Sequence, residues 1–148
     1  MRIVLFTLIL VIGAVAAGCT AGGGSVVDPA ASAEPVAIYG YDSVAYFAAD
    51  KASRGNPQFS FFWKGAKWIF SNRENLGKFS SDPERYAPQF GSHCPVSLSR
   101  GGKDKGDPKF WRVVKDRLYL FNSQEYAEEF DRDAEAVLEK ASENDGSN

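Results

Sequence analysis

Between Gln58 and Phe70 the chain reads Gln-Phe-Ser-Phe-Phe-Trp-Lys-Gly-Ala-Lys-Trp-Ile-Phe, two aromatic-rich runs broken only by Lys64-Gly65. Aromatic residues favour strands, and a two-residue break ending in glycine has the chemistry of a tight hairpin turn. A second hairpin follows at Phe110–Val114 and Leu118–Phe121, turning through Lys115–Arg117. Helix signals come directly after each pair. Ser71 lies three residues before Glu74, the spacing of a capping box, and opens a helix to about Ser80 whose Leu76 and Phe79 share one face. Asp82-Pro83 repeats the start signal for a short helix ending near Ala87-Pro88. Asn122 or Ser123 caps a last helix from Gln124 to about Ser142, with Tyr126, Phe130, Ala134, Val137, Leu138 and Ala141 on one stripe. Asp42 caps a helical turn over Asp42–Phe47. Gln89–Lys105, rich in glycine and serine, reads mainly as loop, and no internal repeat is visible. The expected fold is α+β: one small domain of short antiparallel strands in two hairpins, two short helices and a longer C-terminal helix.

With 148 residues, the chain has room for one domain. Aromatics at 14% help so small a domain bury enough surface. One histidine and two cysteines exclude a four-ligand Cys/His zinc site within one chain, and a disulfide framework with it.

Residues 1–18 read as an export signal. Arg2 supplies the positive start, and Ile3–Val15 is apolar apart from Thr7 and Gly13, shorter than the roughly 20 residues of a permanent span. Ala16, Ala17 and Gly18 then lead into Cys19. This is similar to the lipobox of bacterial lipoproteins, with Ala16 where leucine is preferred, and it implies that Cys19 becomes the lipidated N-terminus. The alternative is an ordinary secretory signal cut near Ala17. Lipidation would hold the protein at a membrane of the cell envelope, the outer membrane or periplasmic face in a diderm cell. Residues 19–35 comprise this cysteine and a tether, Thr20–Pro35, of flexible composition. The domain is expected over 36–142 and a frayed tail over 143–148.

The stretches Gly40–Phe47, Lys64–Ser71, Lys78-Phe79 and Asp82–Gly91, with Cys94, Ser99–Gly101 and Gly106–Pro108 behind them, resemble the YHS-domain family in its exported branch. The likeness covers about Val36 to Phe121. YHS domains are small modules found alone or attached to metal-transporting pumps and oxygenases, so the resemblance implies metal binding. The cysteines of metal-associated members would fall at Ser71 and Asn75, poor ligands for soft metals, and the name-giving histidine would fall near Phe61.

The remaining candidates are Cys94 and His93. With Cys19 lipidated, Cys94 has no disulfide partner in an oxidising compartment. Thiolate and imidazole together suit a soft ion such as copper, provided that the turn between Gly91 and Pro95 brings them to one side. In a dimer, two such pairs would offer four ligands. The alternatives are a reactive thiol in redox or nucleophilic chemistry, and a Cys94 that packs as a small hydrophobe. No nucleophile elbow or phosphate loop is present, and Asp82, Glu84, Asp104 and Asp107 read as caps and solvated groups, so no enzyme is expected. Arg100–Arg117 carries a net charge of +4 and Gln124–Asn148 a net of −7. Basic residues interleaved with Phe110 and Trp111 would suit nucleic acid, but export removes that partner and leaves an anionic membrane or a solvated face. The expectation is therefore a lipid-anchored binding module, with copper or another soft metal as a candidate ligand, a protein in the envelope as a candidate partner, and a thiol-redox or purely structural role as alternatives.

Overall fold

The computed structural model describes residues 34–146. The expected leader, Cys19 with its expected lipidation, and residues 20–33 of the expected tether lie outside the described residues. The fold is α+β, with two antiparallel two-stranded sheets and six helices. In chain order these are α1 (Ala45–Ala48), β1 (Asn56–Trp63), β2 (Ala66–Phe70), α2 (Arg73–Ser81), α3 (Pro83–Tyr86), α4 (Pro95–Ser99), β3 (Asp107–Val114), β4 (Arg117–Phe121), α5 (Gln124–Arg132) and α6 (Ala134–Asp145).

The element order repeats, which the sequence reading missed. Both hairpins, the helix after each and the aspartate ending that helix recur 51 residues further on, so β1-β2-α2-Asp82-α3 corresponds to β3-β4-α5-Asp133-α6. The irregularity recurs as well: the ladder slips between Asn56 and Ser60 in one hairpin and between Asp107 and Trp111 in the other. Each repeat opens with a left-handed turn, at Ala37–Gly40 and Gln89–Ser92. Few identities survive between the halves, and they stand where geometry is demanding. Gly55 and Gly106 are one such pair, because a Cβ would come within 2.5 Å of the Ile69 carbonyl oxygen or of Leu120 Cβ. Phe79 and Phe130 are another, each fully buried against its own hairpin.

Several local expectations need correction. Asn72, not Ser71, caps α2 by accepting from the Asn75 amide at 2.8 Å, because Ser71 is bonded elsewhere. The expected C-terminal helix is two, since extended Asp133 (φ −156°) breaks the chain and its carboxylate caps α6 through the Ala136 amide. α6 then runs to Asp145, past the expected end at Ser142. The Gln89–Lys105 loop contains α4, started by Pro95 in the first turn, where a missing N–H costs nothing. Asp82 with Pro83 opens α3 as read.

One aromatic core lies in each repeat. Phe79 packs against Phe61, Trp63, Trp68 and Phe70, whereas Phe130 packs against Tyr119 and Phe121. Leu118 and Leu120 of the second hairpin enter the first core and join the two. Tyr46 spans the same junction, edge-on to Trp111 with its hydroxyl donating to the Pro108 carbonyl at 2.8 Å. Burial first, then the nearby Tyr41, Asp107 and Asp42, push its phenol well above the ordinary range. A raised folded-state pKa gives stability that is whole below the unfolded value of about 10 and is lost above it. Urea titrations at pH 8 and pH 11 should therefore show a loss of stability at the higher pH that Tyr46→Phe reduces. At pH 8 that variant should lose about 1–2 kcal/mol, because the Pro108 carbonyl is left unpaired.

Candidate functional site

Cys94 is wholly buried, immediately before α4, among Val96, Tyr119, Phe121, Ala127 and Phe130. Its backbone amide donates to the Asp104 carbonyl at 2.8 Å. His93 is half-buried, with Nδ1 2.8 Å from the Phe90 carbonyl oxygen. Among the described residues no group of three or more Cys, His, Asp or Glu side chains is placed to hold a metal. Ser71 and Asn75, the positions implied by the family resemblance, are hydroxyl and amide groups already hydrogen-bonded, and Phe61 is part of an aromatic core. These residues do not fit a soft metal ion.

What Ser71 and Asn75 do instead was not foreseen. They converge on Asp42, a fully buried carboxylate. Its Oδ1 accepts from the backbone amides of Val44 and Ala45, as expected of a cap. Its Oδ2 accepts from the Ser71 amide at 2.8 Å, the Ser71 hydroxyl at 2.6 Å and the Asn75 side-chain amide at 2.7 Å. Five donors on one anion satisfy the rule that a buried charge must be hydrogen-bonded. The group joins the turn before α1 to the end of β2 and the start of α2. It is a structural hub, not an open ligand set.

Cys94 is its counterpart. The Asp42 amide donates to the Ser53 carbonyl as that of Cys94 does to Asp104, and the residues around them correspond in the repeat. Asn122 and Tyr126 then stand where Ser71 and Asn75 stand. The second hub has become apolar, and Asn122 Oδ1 is left buried with no hydrogen-bond partner.

A cleft of about 730 Å³ lies where the repeats meet. Tyr39, Trp63 and Trp68 line it from the first repeat, Phe90 and Ser92 from the second, with Pro88 between them. Both left-handed turns border it. Ile38 (φ 39°), Tyr39 (φ 53°), Phe90 (φ 53°) and Ser92 (φ 68°) hold a backbone conformation that side chains with a Cβ rarely adopt, and a β-branched residue such as Ile38 least of all. Such strain costs of order 1–3 kcal/mol per residue and gathers at functional sites. Around the aromatic walls, Lys64 pairs with Glu84 at 2.7 Å, while Lys105 donates to the Gly91 carbonyl at 3.3 Å. In the sequence only the glycines Gly40 and Gly91 hinted at these turns. Comparison of the chain with protein-family models, with curated proteins and with solved structures found no match.

Asp42→Asn would turn an amide N–H₂ toward groups that are themselves donors. It should cost roughly 2–4 kcal/mol in chemical denaturation, against about 1 kcal/mol for Ser71→Ala, which leaves the carboxylate its other donors. Alkylation by iodoacetamide checks the Cys94 placement. The native thiol should react at least 100-fold more slowly than in urea, since the enclosed sulfur does not meet the reagent.

Proposed function

We propose that this chain is a non-enzymatic binding module of YHS-domain type, anchored in the cell envelope through Cys19, and that its ligand occupies the cleft between the repeats. The observation that carries the reading is the coincidence of two strained turns, one from each repeat, on the rim of one aromatic-lined cleft. The volume is in the range of small-molecule sites, which pair mostly apolar walls with a few placed polar groups. Tyr39, Trp63 and Phe90 offer ring faces, while Lys64, Glu84 and Lys105 stand at hand for a charged or hydrogen-bonding substituent. That combination suits a flat, amphipathic organic ligand better than a metal ion, which needs convergent donors. The enclosed Cys94 sulfur favours the packing role over redox work.

Nuclear magnetic resonance with indole and naphthalene-1-sulfonate as probes tests this. Saturable shifts centred on Tyr39, Trp63, Phe90 and Lys64 are expected, weakened at least fivefold by Phe90→Ala in a variant whose remaining spectrum is native. Shifts scattered over the surface, or focused away from the cleft, would overturn the assignment. Anaerobic titration with Cu(I) is the control: equal uptake by the parent and by Cys94→Ser separates adventitious binding from a thiolate site.

A further inference from the structure

Among the described residues, the exposed large hydrophobic side chains are Val36, Tyr39 and Phe62, at 47%, 63% and 56% exposure. They are grouped, not scattered. Phe62 lies opposite Lys67 across the first hairpin, and Val36 pairs with Lys67 from the other side in a parallel bridge. Residues directly opposite one another in a ladder present their side chains to the same face. Phe62, Lys67 and Val36 therefore form one outward row over three adjacent segments, two apolar groups flanking a lysine. Tyr39 stands three residues beyond Val36 in the turn held by Arg54, whose guanidinium donates to the Tyr39 carbonyl at 2.9 Å. Scattered surface hydrophobes need no explanation, but a grouped set marks a contact surface.

The point where the chain enters the fold identifies the occupant. Val36 lies two residues after Glu34, where the described chain begins, and the Pro35 carbonyl accepts from the Lys67 amide at 2.8 Å. The patch is thus built around the entry segment itself. Between Cys19 and Glu34 lie the fourteen residues 20–33, rich in glycine and alanine. A folded unit of this size is roughly 35 Å across. A lipid on Cys19 would accordingly be joined to the fold at this face, through a connection of at most about 50 Å. The chemistry matches. Tyrosine settles at the level of lipid headgroups, valine and phenylalanine reach the acyl boundary, and Lys67, with Arg54 at the Tyr39 turn, meets phosphate.

We propose that Val36, Tyr39 and Phe62 form a membrane-contact face that seats the domain on the lipid surface next to its anchor. The contact rests on the lipid-anchor reading above and adds to it a defined orientation. In that orientation the cleft, which shares Val36 and Tyr39 with the patch, opens beside the bilayer.

The test uses the full chain, processed in a bacterial host and reconstituted into vesicles of phosphatidylethanolamine and phosphatidylglycerol with brominated acyl chains, which quench tryptophan on contact. Phe62→Trp and Tyr39→Trp place a reporter on the face, and Glu139→Trp places one on an exposed position of α6. The first two reporters should lose at least half of their added fluorescence and the third almost none. Val36→Ser introduced beside Phe62→Trp should restore most of the signal. Equal quenching at the three positions, or none at any of them, in protein whose mass shows a lipid on Cys19 would overturn the proposal. A patch buried instead in a dimer, seen as twice the mass in detergent and reversed by Phe62→Ser, would overturn it too. Recovery of unlipidated protein in the soluble fraction refutes the anchor reading, and the orientation argued from it falls with that reading.

Discussion

A single buried carboxylate organises the first half of this molecule. Asp42 accepts two amides of its own turn and three donors from the end of β2 and the start of α2, so helix, hairpin and entry turn share one anion. The arrangement imposes geometry as well as adding stability, because each donor must arrive from a fixed direction to reach one of two oxygens. With Ser71 held there, the cap of α2 moves to Asn72, and α2 is set at the register that drives Phe79 into the aromatic core. The entry turn in turn fixes where Tyr39 projects.

The second repeat keeps this plan and discards its chemistry. Cys94 stands in the Asp42 position and packs with aromatic and aliphatic neighbours, so dispersion and apolar burial take over from charge. The Cys94 thiol is therefore better understood from its partner position than from its reactivity. The two solutions also differ in their needs. A hydrogen-bonded anion is satisfied locally, whereas an apolar hub is secure only while water is kept out, and α6 lies over α4 in the second half with no equivalent of its length in the first.

How far these features could be read in the residues depended on their range. The hairpins were legible because Lys64-Gly65 and the aromatic alternation are local, and Asp82-Pro83 marked α3 for the same reason. Two of the sequence expectations that moved, the cap of α2 and the unbroken C-terminal helix, turned on a choice between neighbouring oxygen-bearing residues or between one helix and two, which local pattern does not settle. The Pro95 start signal was present but outweighed by the glycines around it. Contacts between residues 29 and 33 apart, such as Ser71 and Asn75 on Asp42, leave no trace in spacing. The repeat was hidden because its conserved positions are isolated glycines, phenylalanines and aspartates set among diverged surface residues. The cleft was hidden because nothing about Ile38 or Tyr39 announces left-handed backbone. For Cys94, its neighbours in the chain could not tell an enclosed sulfur from an open one.

The unequal lengths of α3 and α6 carry a practical corollary. Asn144, near the C-terminal end of α6, donates to the Leu98 carbonyl at 2.8 Å, fastening the last turn of the chain over α4. Protease nicking at the exposed Asp133 linker, or a purification tag fused too tightly to the final residues, would strip the cover from Leu98 and Val96 while leaving the Asp42 half its own support. The end of α6 is then a place where a recombinant preparation of this protein can be spoiled, and anything fused after it needs a generous spacer.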